Sequence, residues 1–192
     1  MFKNKKTILA ALLFIASLKA FCGIVDHDRM YQAYLNNDMS VWKTELQKYT
    51  TSTDLTITDK LEISNYLYGY IATLLTDADK NKQEIIGWIE LWEKYLEEIE
   101  KATGKNAYVH VYRSSINAYK SKVKAGGMMV WGPRSLTELK RALNIDPNNP
   151  LANGLKGNML FYMPGFVGGD KEESIKWFEK ALAGVAASTD KT

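Results

Sequence analysis

Few residues in this 192-residue chain have the types and spacing that catalysis requires. The histidines are His27 and His110, and the single cysteine is Cys22. Two imidazoles so far apart in sequence indicate neither a zinc site nor a nucleophile beside its base. The sequence also lacks HExxH, GxSxG, GxxxxGK[ST] and GxGxxG, the motifs of metal, serine and nucleotide chemistry. We therefore predict that the protein is not an enzyme and that it uses no metal and no cofactor.

Two glycine-rich stretches, AGGMMVWGP and YMPGFVGGD, carry apolar side chains where we predict loops. Apolar clusters in surface segments either mark interaction sites or fold back into a core. Two interpretations are therefore open for residues 128–131 and 163–167. They either fold back and plug the ends of the stacked hairpins, or they line an apolar ligand or partner site. We predict that they lie close together on one edge of the domain and form a contact surface. Its candidate binding residues are Trp131, Met163 and Phe166.

Four residues recur at a fixed offset of 39 positions in the C-terminal part of the chain. The first set is Ser135, Leu139, Ala142 and Leu143, and the second is Ser174, Phe178, Ala181 and Leu182. A fixed offset of this kind is typical of stacked supersecondary units. We therefore expect helices 107–124 and 150–162 to be equivalent first helices of two hairpins, and 134–145 and 171–184 to be the second helices.

The run Ser135, Leu139, Ala142 and Pro147 resembles the second-helix half of a tetratricopeptide (TPR) repeat. Gly157 resembles the small residue at which the two helices of such a hairpin approach. The stretch 163–170 is an insertion relative to the consensus. It stands ahead of a FEKAL helix, as in TPR-like proteins exported by Gram-negative bacteria, including the periplasmic T-component associated with some TRAP-type solute transporters.

The resemblance implies an all-α fold of stacked antiparallel helical hairpins, a TPR-like solenoid. The residue pattern agrees, because no run alternates with a period of two. A stripe on helix 82–103 has helical spacing, Gly104 should end that helix, and Thr58 or Asp59 should cap the helix before it. The remaining predicted helices are 26–37, 40–49, 58–76 and the four already given.

Aligning the two hairpins on the 39-residue offset places aromatic and polar residues on an inner face. These candidate binding residues are Tyr112, Ser115 and Tyr119 in one hairpin and Asn158 and Phe161 in the next. The Lys and Asn clamp by which some TPR domains hold a peptide carboxylate is not reproduced. We predict instead an aromatic, mildly polar groove. His110, Arg113 and Asn117 also share a helical face, which is either ordinary wet surface or part of a groove.

The N-terminus has the organisation of a secretory signal peptide. Three lysines precede the apolar run TILAALLFIASL, and Ala20, Cys22 and Gly23 supply small residues near a cleavage site. The run is shorter than the roughly 20 apolar residues of a membrane span. We predict a signal peptide at 1–22, a single TPR-like domain at 24–186 and a flexible tail at 187–192. The alternative is that Cys22 is lipidated.

Removal of the signal would leave a nearly neutral chain without a pair of cysteines. Four of the 25 basic residues precede residue 22, and the other 21 nearly balance the 22 acids. This balance disfavours nucleic acid as a partner.

We predict a periplasmic or secreted binding or scaffold module that engages a protein, a peptide or a small apolar ligand through its groove or loop edge. The alternative is an accessory or solute-binding component of a TRAP-type transport system. A deep apolar pore would favour transport, and a shallow open groove would favour the scaffold. Membrane association is expected only if Cys22 is lipidated.

Overall fold

The computed structural model describes residues 25–189, and the predicted signal peptide lies outside them. Over this range the chain forms α-helices and no strand, which confirms the all-α prediction and is consistent with stacked helical hairpins. The α-helices are α1 (His27–Leu35), α2 (Met39–Thr50), α3 (Ile57–Leu74), α4 (Lys82–Thr103), α5 (Ala107–Val123), α6 (Gly127–Ile145), α7 (Pro150–Tyr162) and α8 (Lys171–Thr189). Short 3-10 turns follow α3 and α7.

The described residues group into two compact units. The first unit comprises residues 25–104 and 112–135, and the second comprises residues 105–111 and 136–189. Helices α5 and α6 each contribute residues to both units. The equivalence of the two C-terminal hairpins and the single domain over 24–186 both stay predictions.

Capping side chains fix where several helices begin. Thr56, rather than the predicted Thr58 or Asp59, caps α3 and accepts a hydrogen bond from the backbone N–H of Asp59. The Asp59 carboxylate in turn accepts from the backbone N–H of Thr56, which completes a capping box. Gly104 ends α4 as predicted, with a φ of +73° that a residue with a Cβ adopts only under strain.

The core of the first unit lies chiefly between α3 and α4. The predicted stripe of α4 is confirmed, since every one of its members is fully buried. These residues are Ile85, Ile89, Trp92, Leu96 and Ile99. Helix α2 packs against α3 where the ring of Trp42 covers Gly69, with its Cη2 atom 3.0 Å from the position of a Cβ on that glycine. A side chain at position 69 would therefore require the Trp42 ring to move.

The second unit is built around the hairpin of α7 and α8. The ring of Phe178 lies 2.8 Å from the position that a Cβ on Gly157 would occupy, so this glycine lets the two helices approach as the resemblance implied. Ala142 and Ala152 are fully buried beside Leu139 in the adjoining core cluster.

The predicted loop at 128–131 is wrong, because these residues form the first turns of α6. Gly126, with a φ of +87°, reverses the chain, and the helix begins at the next residue. The indole N–H of Trp131 donates to the carbonyl of Ala125 at 3.0 Å, which fastens the new turn to the preceding segment. Pro133 lies inside the helix, where its missing N–H removes one backbone hydrogen bond without ending α6.

The same substitution at two helical glycines should have opposite effects on stability. Gly157→Ala should lower the free energy of unfolding by about 1–3 kcal/mol, because the new methyl group meets the Phe178 ring. Gly87→Ala in α4 should raise it by about 0.5–1 kcal/mol, because nothing lies within 4 Å of the new Cβ. Urea unfolding of both variants and the parent measures the two changes. Stabilisation by Gly157→Ala would contradict the close approach of α7 and α8.

Candidate functional site

The predicted groove residues of the first unit are bonded within its core. Tyr112 and Ser115 are 2% and 1% exposed, and the Tyr112 hydroxyl donates to Asn65 Oδ1 at 3.0 Å. Tyr119 is half-buried and its hydroxyl donates to the carbonyl of Tyr68 at 3.0 Å. A ligand would reach Tyr112 and Ser115 only by displacing their neighbours. Their role as ligand contacts stays a prediction.

The other candidates are distributed over both units. In the second unit, Asn158, Phe161 and Met163 are half-buried and Phe166 is 91% exposed. In the first unit, the Nζ atom of Lys120 lies 5.1 Å from the centroid of the Trp131 ring. The predicted contact surface of residues 128–131 and 163–167 joins residues of different units, and it stays a prediction.

His110 does not belong to a wet surface. It is 9% exposed, and its Nδ1 atom lies 2.6 Å from the Oε2 atom of Glu138 within the second unit. In the first unit, Arg113 forms an ion pair with Glu100 at 2.7 Å. Both polar side chains therefore tie helices together.

The first unit has a groove on α2 and α4 that the sequence did not predict. It is shallow and open to solvent, with a volume of about 410 Å³. The lining residues are Lys43, Gln47, Glu84, Gly87, Trp88 and Leu91. A hint was present in the sequence, since Gly87 is a glycine inside the predicted helix 82–103 and lies beside Trp88, close to the acidic first turn.

One end of the groove is a network of polar groups centred on Glu84. Its carboxylate accepts hydrogen bonds from Lys43 Nζ at 2.9 Å, from the hydroxyl of Tyr70 at 2.8 Å and from Trp88 Nε1 at 3.3 Å. Burial raises the pKa of Glu84, but the bonds from Lys43, Tyr70 and Trp88 outweigh it and hold the pKa below its ordinary value. Burial and the bond to Glu84 raise the pKa of Tyr70, so this phenol stays a donor. The network holds the Trp88 ring in place.

The middle of the groove is bare helix backbone. A Cβ added at Gly87 would have no heavy atom within 4 Å, so nothing covers the helix there. Trp88 and Leu91 flank this glycine, and the Trp88 ring is fixed edge-to-face against Tyr70 with the centroids 6.0 Å apart. A flat apolar molecule can therefore lie on the backbone against an ordered aromatic wall, with Lys43 and Gln47 at its rim.

Residues 25–189 contain no group of three or more His, Cys, Asp or Glu side chains placed to hold a metal ion. None of the helices described here is both long enough and apolar enough to cross a bilayer.

Over residues 25–189 the protein is therefore all-α, is consistent with stacked helical hairpins and has an open groove on α2 and α4. Neither the known protein-family models nor the curated proteins contain a match to the sequence. Among solved structures, the HusA haemophore from Porphyromonas gingivalis matches with a TM-score of 0.62 and 18% identity, over 97% of this chain and 84% of that one. The likeness is one of fold. The resemblance to the TRAP T-component has no support in these comparisons.

Glu84→Gln should remove an acid-sensitive part of the stability. Because the folded pKa of Glu84 is lowered, its contribution is fully present above the unfolded value of 4.5 and is lost as the pH falls through the folded value. The difference in free energy of unfolding between parent and variant should therefore shrink below pH 4.5. Urea unfolding between pH 7 and pH 3 measures it, with Glu97→Gln on the exposed face of α4 as the control. A difference that is independent of pH would contradict the network.

Proposed function

We propose that this protein is a non-enzymatic binding protein whose groove on α2 and α4 holds a planar apolar ligand with a carboxylate edge. Haem and other porphyrins belong to this chemical class. The observation that carries the proposal is the exposed backbone at Gly87 beside the fixed ring of Trp88, with Lys43 at the rim. We further propose that the protein acts outside the cytoplasm, as its N-terminal sequence predicts.

A planar ligand suits the walls of this groove. A rounded ligand needs depth, whereas a flat one gains contact area from an open surface with one aromatic wall. Trp88 is held both by its ring contact with Tyr70 and by its hydrogen bond to Glu84. An ordered ring loses little conformational entropy when a ligand stacks on it. The groove is therefore organised before the ligand arrives.

A carboxylate on the ligand suits the rim. The Lys43 side chain is 41% exposed while its ammonium bonds Glu84, and an ammonium group has three donors. A donor remains for a carboxylate at the open end, and the exposed Gln47 amide adds a second polar contact. The pairing favours an acidic ligand over a neutral one.

The fold likeness to a haemophore supports this ligand class. It does not require that iron be bound by the protein, because the described residues lining this groove include no His, Cys, Met or Tyr. Recognition of a porphyrin would then depend on contacts with its planar ring and with its carboxylate groups. The openness of the groove also favours a binding module over a transport pore, the two interpretations that the sequence left open.

Haem and metal-free protoporphyrin should bind with similar affinity, and Gly87→Trp should weaken both at least tenfold by filling the groove. Nothing lies within 4 Å of a new Cβ at this exposed position, so the substitution should leave the helix intact. Gly87→Ala is the matched control, because it adds a methyl group and leaves most of the groove open. Absorbance titration and quenching of tryptophan fluorescence measure binding, and a thermal melt verifies the fold of each variant.

Lys43→Met should weaken binding of protoporphyrin more than binding of its dimethyl ester, which has no carboxylate to pair with the ammonium. Equal losses would contradict the role of Lys43. Porphyrin binding that Gly87→Trp leaves unchanged would place the site elsewhere. Failure of the parent chain to bind any porphyrin would contradict the proposed function, and binding of apolar peptides in its place would favour the peptide interpretation.

A further inference from the structure

Three consecutive apolar side chains project into solvent at the start of α6. Met128, Met129 and Val130 are 61%, 92% and 41% exposed. We call residues 128–130 the methionine tip. Singly exposed apolar residues are common, whereas several at one helix end are typical of an interaction surface.

The tip is the start of a helix that local contacts hold to the preceding turn. Gly126 and Gly127 have φ values of +87° and +50°, so the chain turns sharply before α6. Val130 folds over Gly126, where an added Cβ would overlap its Cγ2 atom. The Trp131 indole then donates to the Ala125 carbonyl at 3.0 Å. These contacts hold the first turn of α6 against the residues that precede it.

Basic residues precede and follow the methionine tip in the sequence. The sequence has no acid between Glu100 and Glu138, and it carries four basic residues near the tip. These residues are Lys120, Lys122, Lys124 and Arg134. The Arg134 guanidinium lies 4.8 Å and the Lys120 ammonium 5.1 Å from the centroid of the Trp131 ring.

Acids of α4 balance only part of this charge. Lys120 pairs with Glu93 at 2.6 Å and Lys124 with Glu90 at 3.8 Å. Lys122 and Arg134 are exposed and add positive charge beyond these two pairs. The surroundings of the tip thus combine exposed apolar groups with a net positive charge.

We propose that the methionine tip and its basic surroundings are a docking surface for a lipid bilayer that contains anionic headgroups. Apolar side chains that enter the interface, flanked by Lys and Arg that meet headgroup phosphates, are the two components of peripheral membrane binding. Trp131 lies behind the tip, and its ring with one polar end suits the interfacial layer. Methionine side chains adapt to an irregular surface such as lipid chains. The surface is independent of the groove on α2 and α4.

A local probe tests the surface in the full chain. In a Cys22→Ser background, Met129→Cys labelled with an environment-sensitive dye reports on the tip, and Leu182→Cys, at a 53% exposed site of the second unit, is the control. Vesicles of phosphatidylcholine with one-third phosphatidylglycerol should shift the emission at 129 to the blue and leave the emission at 182 unchanged. The local readout separates this contact from lipid binding by the apolar N-terminal segment.

Charge and apolar contact are then varied separately. In the labelled chain, Lys122→Glu with Arg134→Glu should raise the lipid concentration at half-maximal shift at least fivefold, as should 0.5 M salt. In a chain labelled at Val130→Cys, Met128→Ser with Met129→Ser should raise it at least tenfold, while Leu182→Ser should not change it. Thermal melts of these exposed-site variants verify that the fold is retained.

Three results would overturn the proposal. The first is an emission at 129 that anionic vesicles leave unchanged. The second is an equal shift with pure phosphatidylcholine vesicles, which would remove the role of the basic residues. The third is a shift that appears without lipid as the protein concentration rises, which would assign the tip to a contact with a second copy of the chain.

Discussion

An aromatic ring packed over a glycine brings two helices together in each unit of this protein. Trp42 covers Gly69 in the first unit, and Phe178 covers Gly157 in the second. Such a contact fixes both the distance and the register of the helix pair, since a Cβ at either glycine would meet the ring. In the first unit the consequences reach the groove on α2 and α4. The Trp42 ring centroid lies 6.5 Å from that of Tyr70, and the hydroxyl of Tyr70 holds Glu84.

Most helices could be predicted because their signals are local. The apolar stripe of α4 repeats every three or four residues. At the end of this helix, Gly104 adopts a positive φ that glycine reaches without strain. The same kind of signal was misleading at α6. Pairs such as Gly126-Gly127 and Gly132-Pro133 are typical of the two ends of a loop. Here the chain turns at the first pair, whereas the second pair lies inside α6. Whether a proline ends a helix depends on packing around it, and a single sequence does not show that packing.

The groove could not be predicted because it depends on contacts between distant residues. Lys43 and Glu84 are 41 positions apart, and they meet only after α2 and α4 have packed around α3. His110 illustrates the same limit, since its partner Glu138 follows 28 positions later on another helix. Helical spacing identified a shared polar face on α5, but it did not show which neighbouring helix would cover that face. The TPR resemblance described the glycine contact of α7 and α8 well because that contact is local to one hairpin.

The bare backbone at Gly87 separates the selectivity of the proposed site from the stability of the fold, two properties that usually conflict. In many binding proteins the residues that shape the ligand site also belong to the core, so a change in selectivity costs stability. Here the floor of the groove is a single solvent-facing helical position with open space above it. Alanine there should strengthen the helix, and larger side chains should narrow the groove without touching the buried stripe of α4. The size of the proposed ligand could therefore change during evolution by single substitutions that leave the core intact.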